Sequence, residues 1–178
     1  RWRSAMAAGM TALLASSLTA ATIWYVGRGP STATPVTRLS LDLPAGQTFS
    51  GTSRHIVAIS LDGTQIVYSA NDRLFIRGLA QFDARPLQGT EGDSREPVFS
   101  PDSRSVAFYS VAEQSIRRVA ISGGAPVVIS RAEEPSGMSW GPDGIVFGQP
   151  TTGIMRVGPE GGSPEAIVRV EDGQTRAE

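Results

Sequence analysis

The chain has 178 residues, 40% hydrophobic and 7% aromatic, with a formal net charge of -1 at pH 7. That is enough apolar material for one ordinary folded domain, and the near-neutral balance excludes a nucleic-acid binder, which would show a clustered basic excess. All 16 basic residues are arginine and there is no cysteine, which excludes lysine Schiff bases, a phosphate-gripping lysine, disulfides and thiolate zinc sites.

The first feature in chain order is an uncharged stretch, residues 4–27, between Arg3 and Arg28. As a helix it would span about 36 Å, against roughly 30 Å of hydrocarbon. It ends in Trp24-Tyr25, where an interfacial aromatic belt would lie. We expect residues 1–28 to form a transmembrane helix with basic flanks. A signal peptide is the first alternative, because Arg1-Trp2-Arg3 is a basic start and Ser31-Thr32-Ala33 a candidate processing site. A buried soluble helix is the second. Length and the missing initiator Met favour the span, and the latter suggests a piece of something longer. Arg1 and Arg3 outweigh Arg28, a weak bias that puts the start of the chain in the cytoplasm. Residues 29–37 read as a polar linker through Gly29, Pro30, Ser31, Thr32 and Pro35.

From residue 38 onward the pattern changes to short apolar runs between Asp, Gly and Pro turns. The 20 Gly and 12 Pro of the chain suit many short strands better than long helices. Three units superpose. The first reads Ile59-Ser60-Leu61-Asp62-Gly63 and then Ile66-Val67-Tyr68-Ser69. The second reads Phe99-Ser100-Pro101-Asp102-Ser103 and then Val106-Ala107-Phe108-Tyr109. The third reads Trp140-Gly141-Pro142-Asp143-Gly144 and then Ile145-Val146-Phe147-Gly148. The aspartates Asp62, Asp102 and Asp143 recur at intervals of 40 and 41 residues. Each unit continues with a third strand around Leu74, Ile116 or Ile154. In the last two units a turn follows that is nearly identical, Gly123-Gly124-Ala125-Pro126 and Gly161-Gly162-Ser163-Pro164. A fourth strand closes each unit, at residues 84–87, 127–129 and 166–168.

A period near 40 with four short strands per unit is the signature of a propeller blade. One four-stranded meander cannot bury both of its faces, so blades must stack around an axis. Pro fixes φ at the first reversal, the Asp carboxylate accepts backbone N–H groups, and Gly takes positive φ. We therefore expect an all-β fold, a partial β-propeller of about three four-stranded antiparallel blades at residues 38–94, 95–134 and 135–173, incomplete at its C-terminal end. First strands are expected near 57–60, 97–100 and 138–140, and second strands, more buried than the fourth, at 66–68, 106–108 and 145–147. Phe99 and Trp140 should pack between blades. Asp62, Gly63, Pro101, Asp102, Pro142, Asp143, Gly144, Gly123, Gly124, Gly161 and Gly162 are structural turn residues. Residues 171–174 read as the approach to another blade. With no capping unit before Ile56 or after Val170, both outer faces are expected to be open, so that residues 36–178 made alone are poorly soluble or self-associate.

The Ser-Pro-Asp-Gly type of turn followed by an apolar strand resembles the TolB-type propeller repeat. A narrower set of residues resembles the extracytoplasmic part of bacterial transmembrane serine/threonine protein kinases: Val36-Thr37-Arg38-Leu39, Leu43-Pro44, Ile76-Arg77-Gly78-Leu79, and the run from Ala84-Arg85-Pro86-Leu87-Gln88-Gly89-Thr90-Glu91-Gly92 to Pro97-Val98-Phe99-Ser100-Pro101-Asp102. That resemblance implies a cytoplasmic kinase domain before a single span, with the propeller on the periplasmic side of the inner membrane. Leu61 departs from the repeat where Pro is preferred, and the third turn is two residues shorter.

No catalytic, cofactor or metal site is expected. Gly137-Met138-Ser139-Trp140-Gly141 matches the nucleophile elbow G-x-S-x-G, but that elbow needs a following helix and a downstream His, and the one His of the chain is His55, upstream. His55 reads as a solvated or capping residue. The turn aspartates lack the spacing of a calcium loop. Arg117-Arg118 and Glu133-Glu134 read as strand-edge charges. The functional expectation is a non-catalytic sensor region that binds an unknown protein or small ligand at the propeller rim and is anchored in the membrane through residues 4–27. Alternatives are a periplasmic interaction scaffold without a kinase, and the propeller gate of a prolyl-oligopeptidase-like hydrolase.

Overall fold

Among the described residues, twelve short strands fold as three consecutive meanders. The computed structural model describes residues 40–50 and 55–170. The first sheet holds β1 (Val57–Ile59), β2 (Gln65–Ala70), β3 (Arg73–Gly78) and β4 (Arg85–Pro86) in chain order. The second holds β5 (Ser94–Phe99), β6 (Ser105–Ser110), β7 (Ser115–Ala120) and β8 (Val127–Arg131). The third holds β9 (Ser136–Gly141), β10 (Gly144–Gln149), β11 (Gly153–Val157) and β12 (Glu165–Val168). Every neighbouring pair is antiparallel, and no helix occurs among the described residues. The architecture is all-β and fits a partial propeller. The first strands β1, β5 and β9 adjoin one another, and the fourth strands lie outermost.

Burial follows from that order. β2 is buried from Ile66 through Ala70 and β6 from Val106 through Ser110, whereas β12 is exposed along its length. Between blades 1 and 2, Val67, Leu74, Ile76 and Leu87 pack on Phe99, Val106, Phe108 and Val119. Between blades 2 and 3, Ala107, Tyr109, Ile116 and Ile129 pack on Met138, Ile145, Phe147 and Val157, with Trp140 half-buried beside them. The two interfaces use the same register: Phe99 stands opposite Val106 as Trp140 stands opposite Ile145. Burying each large apolar side chain is worth about 1.5–3 kcal/mol, so these two seams hold the arc together.

The structure departs from expectation at three places. First strands β5 and β9 begin earlier than the sequence suggests, because each carries a β-bulge, at Glu96-Pro97 and at Gly137-Met138. Pro97 and Gly137 read as strand breakers, yet a bulge is where a strand tolerates them. The outer side of blade 1 is not open either. Phe49 bridges Ala70 and meets the Tyr68 ring edge-on at 6.1 Å, while Tyr68 stacks on Phe75 at 5.6 Å and donates its hydroxyl to Gln47 Oε1 at 3.1 Å. Third, Arg117 and Arg118 lie on β7, an inner strand, and are half-buried rather than on a solvated edge. The expected transmembrane helix at residues 4–27 and the approach at residues 171–174 fall outside the described residues. Among the described residues no helix is long and apolar enough to cross a membrane.

Candidate functional site

One rim of the arc carries the aspartate turns between first and second strands. Ser100 Oγ donates to Asp102 Oδ1 at 2.5 Å, and the N–H of Arg104 donates to the same oxygen at 3.0 Å. The Ser105 N–H donates to Ser100 Oγ at 2.9 Å. Blade 1 repeats this with Ser60, Asp62, Thr64 and Gln65 at 2.6, 3.0 and 2.9 Å. Donation to the charged form holds both carboxyls below the ordinary 3.8, the Ser60 or Ser100 hydroxyl being the main cause. Gly63 has φ +68, and Ser103 at the same place takes φ +59. In blade 3, Gly141 pairs directly with Gly144, so Pro142 and Asp143 alone make the reversal. These are self-contained turns, with their polar groups aimed at their own backbone.

On the same rim the Gly-Gly turns join blades. A Cβ on Gly161 would lie 2.9 Å from the Ile129 carbonyl oxygen, and the Gly162 N–H donates to that oxygen at 3.2 Å. Gly123 and Gly124 also have positive φ, but open space surrounds them. An open cavity of about 310 Å³ lies between blades 2 and 3, lined by Asp102, Arg118, Trp140, Pro142 and Glu160 among others. Its cation is already paired: Arg118 donates to both Glu160 oxygens at 2.9 and 3.0 Å. That pairing raises the Arg118 pKa and lowers that of Glu160.

The opposite rim, where connectors run from one blade to the next, gathers different chemistry near the axis. Glu96, in the bulge of β5, is 3% exposed and has φ +53. Its Oε2 accepts the Gly137 N–H of blade 3 at 3.2 Å and lies 3.7 Å from Nδ1 of His55 in blade 1. One carboxylate oxygen of blade 2 thus lies against a group from the blade on either side of it. Arg95 beside it is held by Asp93, with Nε donating to Oδ1 at 2.8 Å. That bond raises the Arg95 pKa, with added attraction from Glu134 and Tyr109. The Tyr109 hydroxyl in turn accepts the Glu134 N–H at 3.3 Å. The arrangement can hold a polar group in place; it has no nucleophile aligned with a base. Glu96 was not foreseen from the sequence, since nothing in Arg95-Glu96-Pro97-Val98 distinguishes a buried Glu from a solvated one.

The G-x-S-x-G run lies along strand β9 and leads into β10, so its Ser139 is on no elbow. No group of His, Asp and Glu suited to a metal occurs among the described residues.

No protein-family profile matches the chain, and no curated protein matches it. Solved structures do. A TolB-like protein from Agrobacterium tumefaciens superposes with a TM-score of 0.53 at 22% identity, covering 62% of this chain and 47% of that one. Hydrazine synthase of Kuenenia stuttgartiensis superposes at 0.50 and 15% identity, covering 58% of this chain and 32% of that one. The chain therefore spans about half the length of the first and a third of the second. With three four-stranded meanders arranged around adjoining first strands, the class is the β-propeller. Within that class the chain has the TolB-like fold.

Proposed function

We propose that this chain is a non-catalytic recognition region: an extracytoplasmic β-propeller that binds a protein or small ligand at its rim, as the sensor part of a membrane-anchored receptor-like serine/threonine kinase. The observation that carries the binding reading is Glu96. A non-glycine residue with positive φ inside a strand is costly, as is a buried carboxylate, and such strain collects at binding sites. Glu96 combines both at the point where the His55 side chain of blade 1 and the Gly137 N–H of blade 3 converge on its carboxylate. Blade loops set on a rigid ring are well suited to present such a surface.

The kinase context rests on the resemblance around residues 84–102 together with the uncharged segment upstream. It implies a single pass through the inner membrane, the kinase domain before Arg1 and the propeller in the periplasm. A reporter fused after Pro35 is expected to be active outside the cytoplasm only; cytoplasmic activity refutes the orientation. The coding sequence upstream of Arg1 is expected to carry the H-R-D and D-F-G motifs of a kinase. A hydrolase domain after Glu178 with no kinase upstream would instead make the arc the gate of a prolyl-oligopeptidase-like enzyme.

A further inference from the structure

The seam between blades 2 and 3 departs from its neighbour at one place. Ile76 stands opposite Val67 in blade 1 and Arg118 opposite Ala107 in blade 2, so the two hold equivalent positions on β3 and β7. Ile76 is buried in one apolar cluster with Phe99 of the following blade. One seam further on, Arg118 stands in place of the isoleucine and the half-buried Trp140 in place of the buried Phe99. Both line the open cavity of about 310 Å³, which Pro101, Pro142 and Pro159 wall with rigid apolar surface. That volume is at the small end of ligand pockets, and an apolar wall with one fixed charged group is their usual lining.

The group that meets this cation shows what fits it. Arg118 donates from both terminal nitrogens to the Glu160 carboxylate at 2.9 and 3.0 Å, the paired geometry by which arginine recognises a carboxylate. Glu160 is a loosely held occupant. Its side chain is 81% exposed, against 25% for Arg118, and it sits in the loop between β11 and β12. Ion pairs so open to water are weak. Asp102 also lines the cavity, but its Oδ1 already accepts Ser100 Oγ and the Arg104 N–H of its own turn.

We propose that this cleft is a binding site for an organic carboxylate bearing an apolar group, and that Glu160 occupies it in cis until such a ligand displaces it. The ligand carboxylate takes both terminal nitrogens of Arg118. Its apolar part lies on Trp140 between the proline walls, and Glu160 is released to water. A free acid and the C-terminal end of a peptide carry the same chemistry. The cleft lies on the rim opposite Glu96 and needs neither that residue nor the kinase context, so its failure would leave those readings where they stand.

Trp2 and Trp24 are the other two indoles of the chain. With Trp2→Phe and Trp24→Phe, the full chain in mild detergent reports on the cleft through Trp140 fluorescence. The probes are N-acetyl-phenylalanine, its amide, and acetyl-Ala-Ala-Phe with a free C-terminus. Both acids are expected to change the signal saturably and to bind at least tenfold more tightly than the amide. The tighter of the two acids identifies the source as a free acid or a chain end. Glu160→Gln is expected to tighten acid binding about threefold or more, because an internal competitor lowers apparent affinity by the fraction of sites it fills. Arg118→Gln should weaken it at least tenfold. A purely structural Arg118–Glu160 pair gives no such tightening. Equal binding of acid and amide, no saturable change with either acid, or a Glu160→Gln chain that binds no better than its parent overturns the proposal. Should Arg118→Gln fail to fold, the acid–amide comparison and Glu160→Gln decide it.

Discussion

Glu96 and Gly137 hold the same bulge position in consecutive blades, with φ of +53 and +64, and the carboxylate of the first accepts the N–H of the second at 3.2 Å. Glycine takes that conformation freely, whereas an L side chain gives up about 1–2 kcal/mol. Glu96 is retained at that cost by what its carboxylate touches. Glu96→Gln keeps an acceptor for Gly137 and should change stability little. Glu96→Ala keeps the strain and removes the acceptor of the exposed Gly137 N–H, a loss of about 1 kcal/mol. Glu96→Gly should recover roughly 1 kcal/mol of that loss by removing the strain. Urea denaturation of the three variants gives the ranking, and an alanine variant as stable as the glycine one would show that the strain is not real.

Gly89 is irreplaceable for a different reason. It has φ +80, and a Cβ there would lie 2.3 Å from Pro126 Cδ, at the contact between the blade 1 connector and the Gly-Gly turn of blade 2. Gly89→Ala should therefore cost about 2–4 kcal/mol, adding overpacking to backbone strain. Gly123→Ala, at φ +103 with nothing within 4 Å, should cost only the strain, about 1–2 kcal/mol. Thermal denaturation of the two variants separates the contributions.

The aspartate turns make stability depend on acid. The folded carboxyls of Asp62 and Asp102 titrate below the ordinary 3.8, so their contribution is complete above that value and is lost as pH falls through the lower folded one. Asp102→Asn should be less stable than the parent at neutral pH, with the gap closing in acid below pH 3.8. Ser100→Ala removes the main donor and should move the Asp102 carboxyl back up, read by a carbon-13 titration of its side chain.

Burial ranks the strands. Phe108 is 1% exposed at the seam of blades 1 and 2, and Phe108→Ala should cost about 3–5 kcal/mol. Val127, on the outermost strand of blade 2, is 53% exposed, and Val127→Thr should stay within about 0.5 kcal/mol. Comparable losses at both positions would contradict the layering.

What the sequence made legible was whatever the repeat enforces. Turn residues fix where each hairpin reverses, and the apolar runs after Asp62, Asp102 and Asp143 mark the second strands because these are buried on both sides. What escaped was whatever one blade does alone. Glu96 turns inward only because a bulge rotates it, and a bulge breaks the alternation by which a side chain's face is inferred. Arg118 looks like a surface charge until the next blade supplies Glu160. Phe49 lies before the first repeat and has no counterpart to align with, so its contact with Tyr68 had no periodic signal.

The order of strands within each sheet has a consequence for how the protein is made. Each strand hydrogen-bonds to its neighbour in sequence, as in β5-β6-β7-β8, so every ladder closes a short loop. Topologies rich in such local contacts assemble quickly. Emerging from the ribosome at about 5–20 residues per second, one meander can finish before the next begins. The growing end then always offers an apolar face like that of Val67 and Leu74 to the segment just being synthesised. Phe49 meanwhile shields Tyr68 on the finished end. Assembly thereby acquires a direction, and the exposed sticky surface at any moment is a single blade wide.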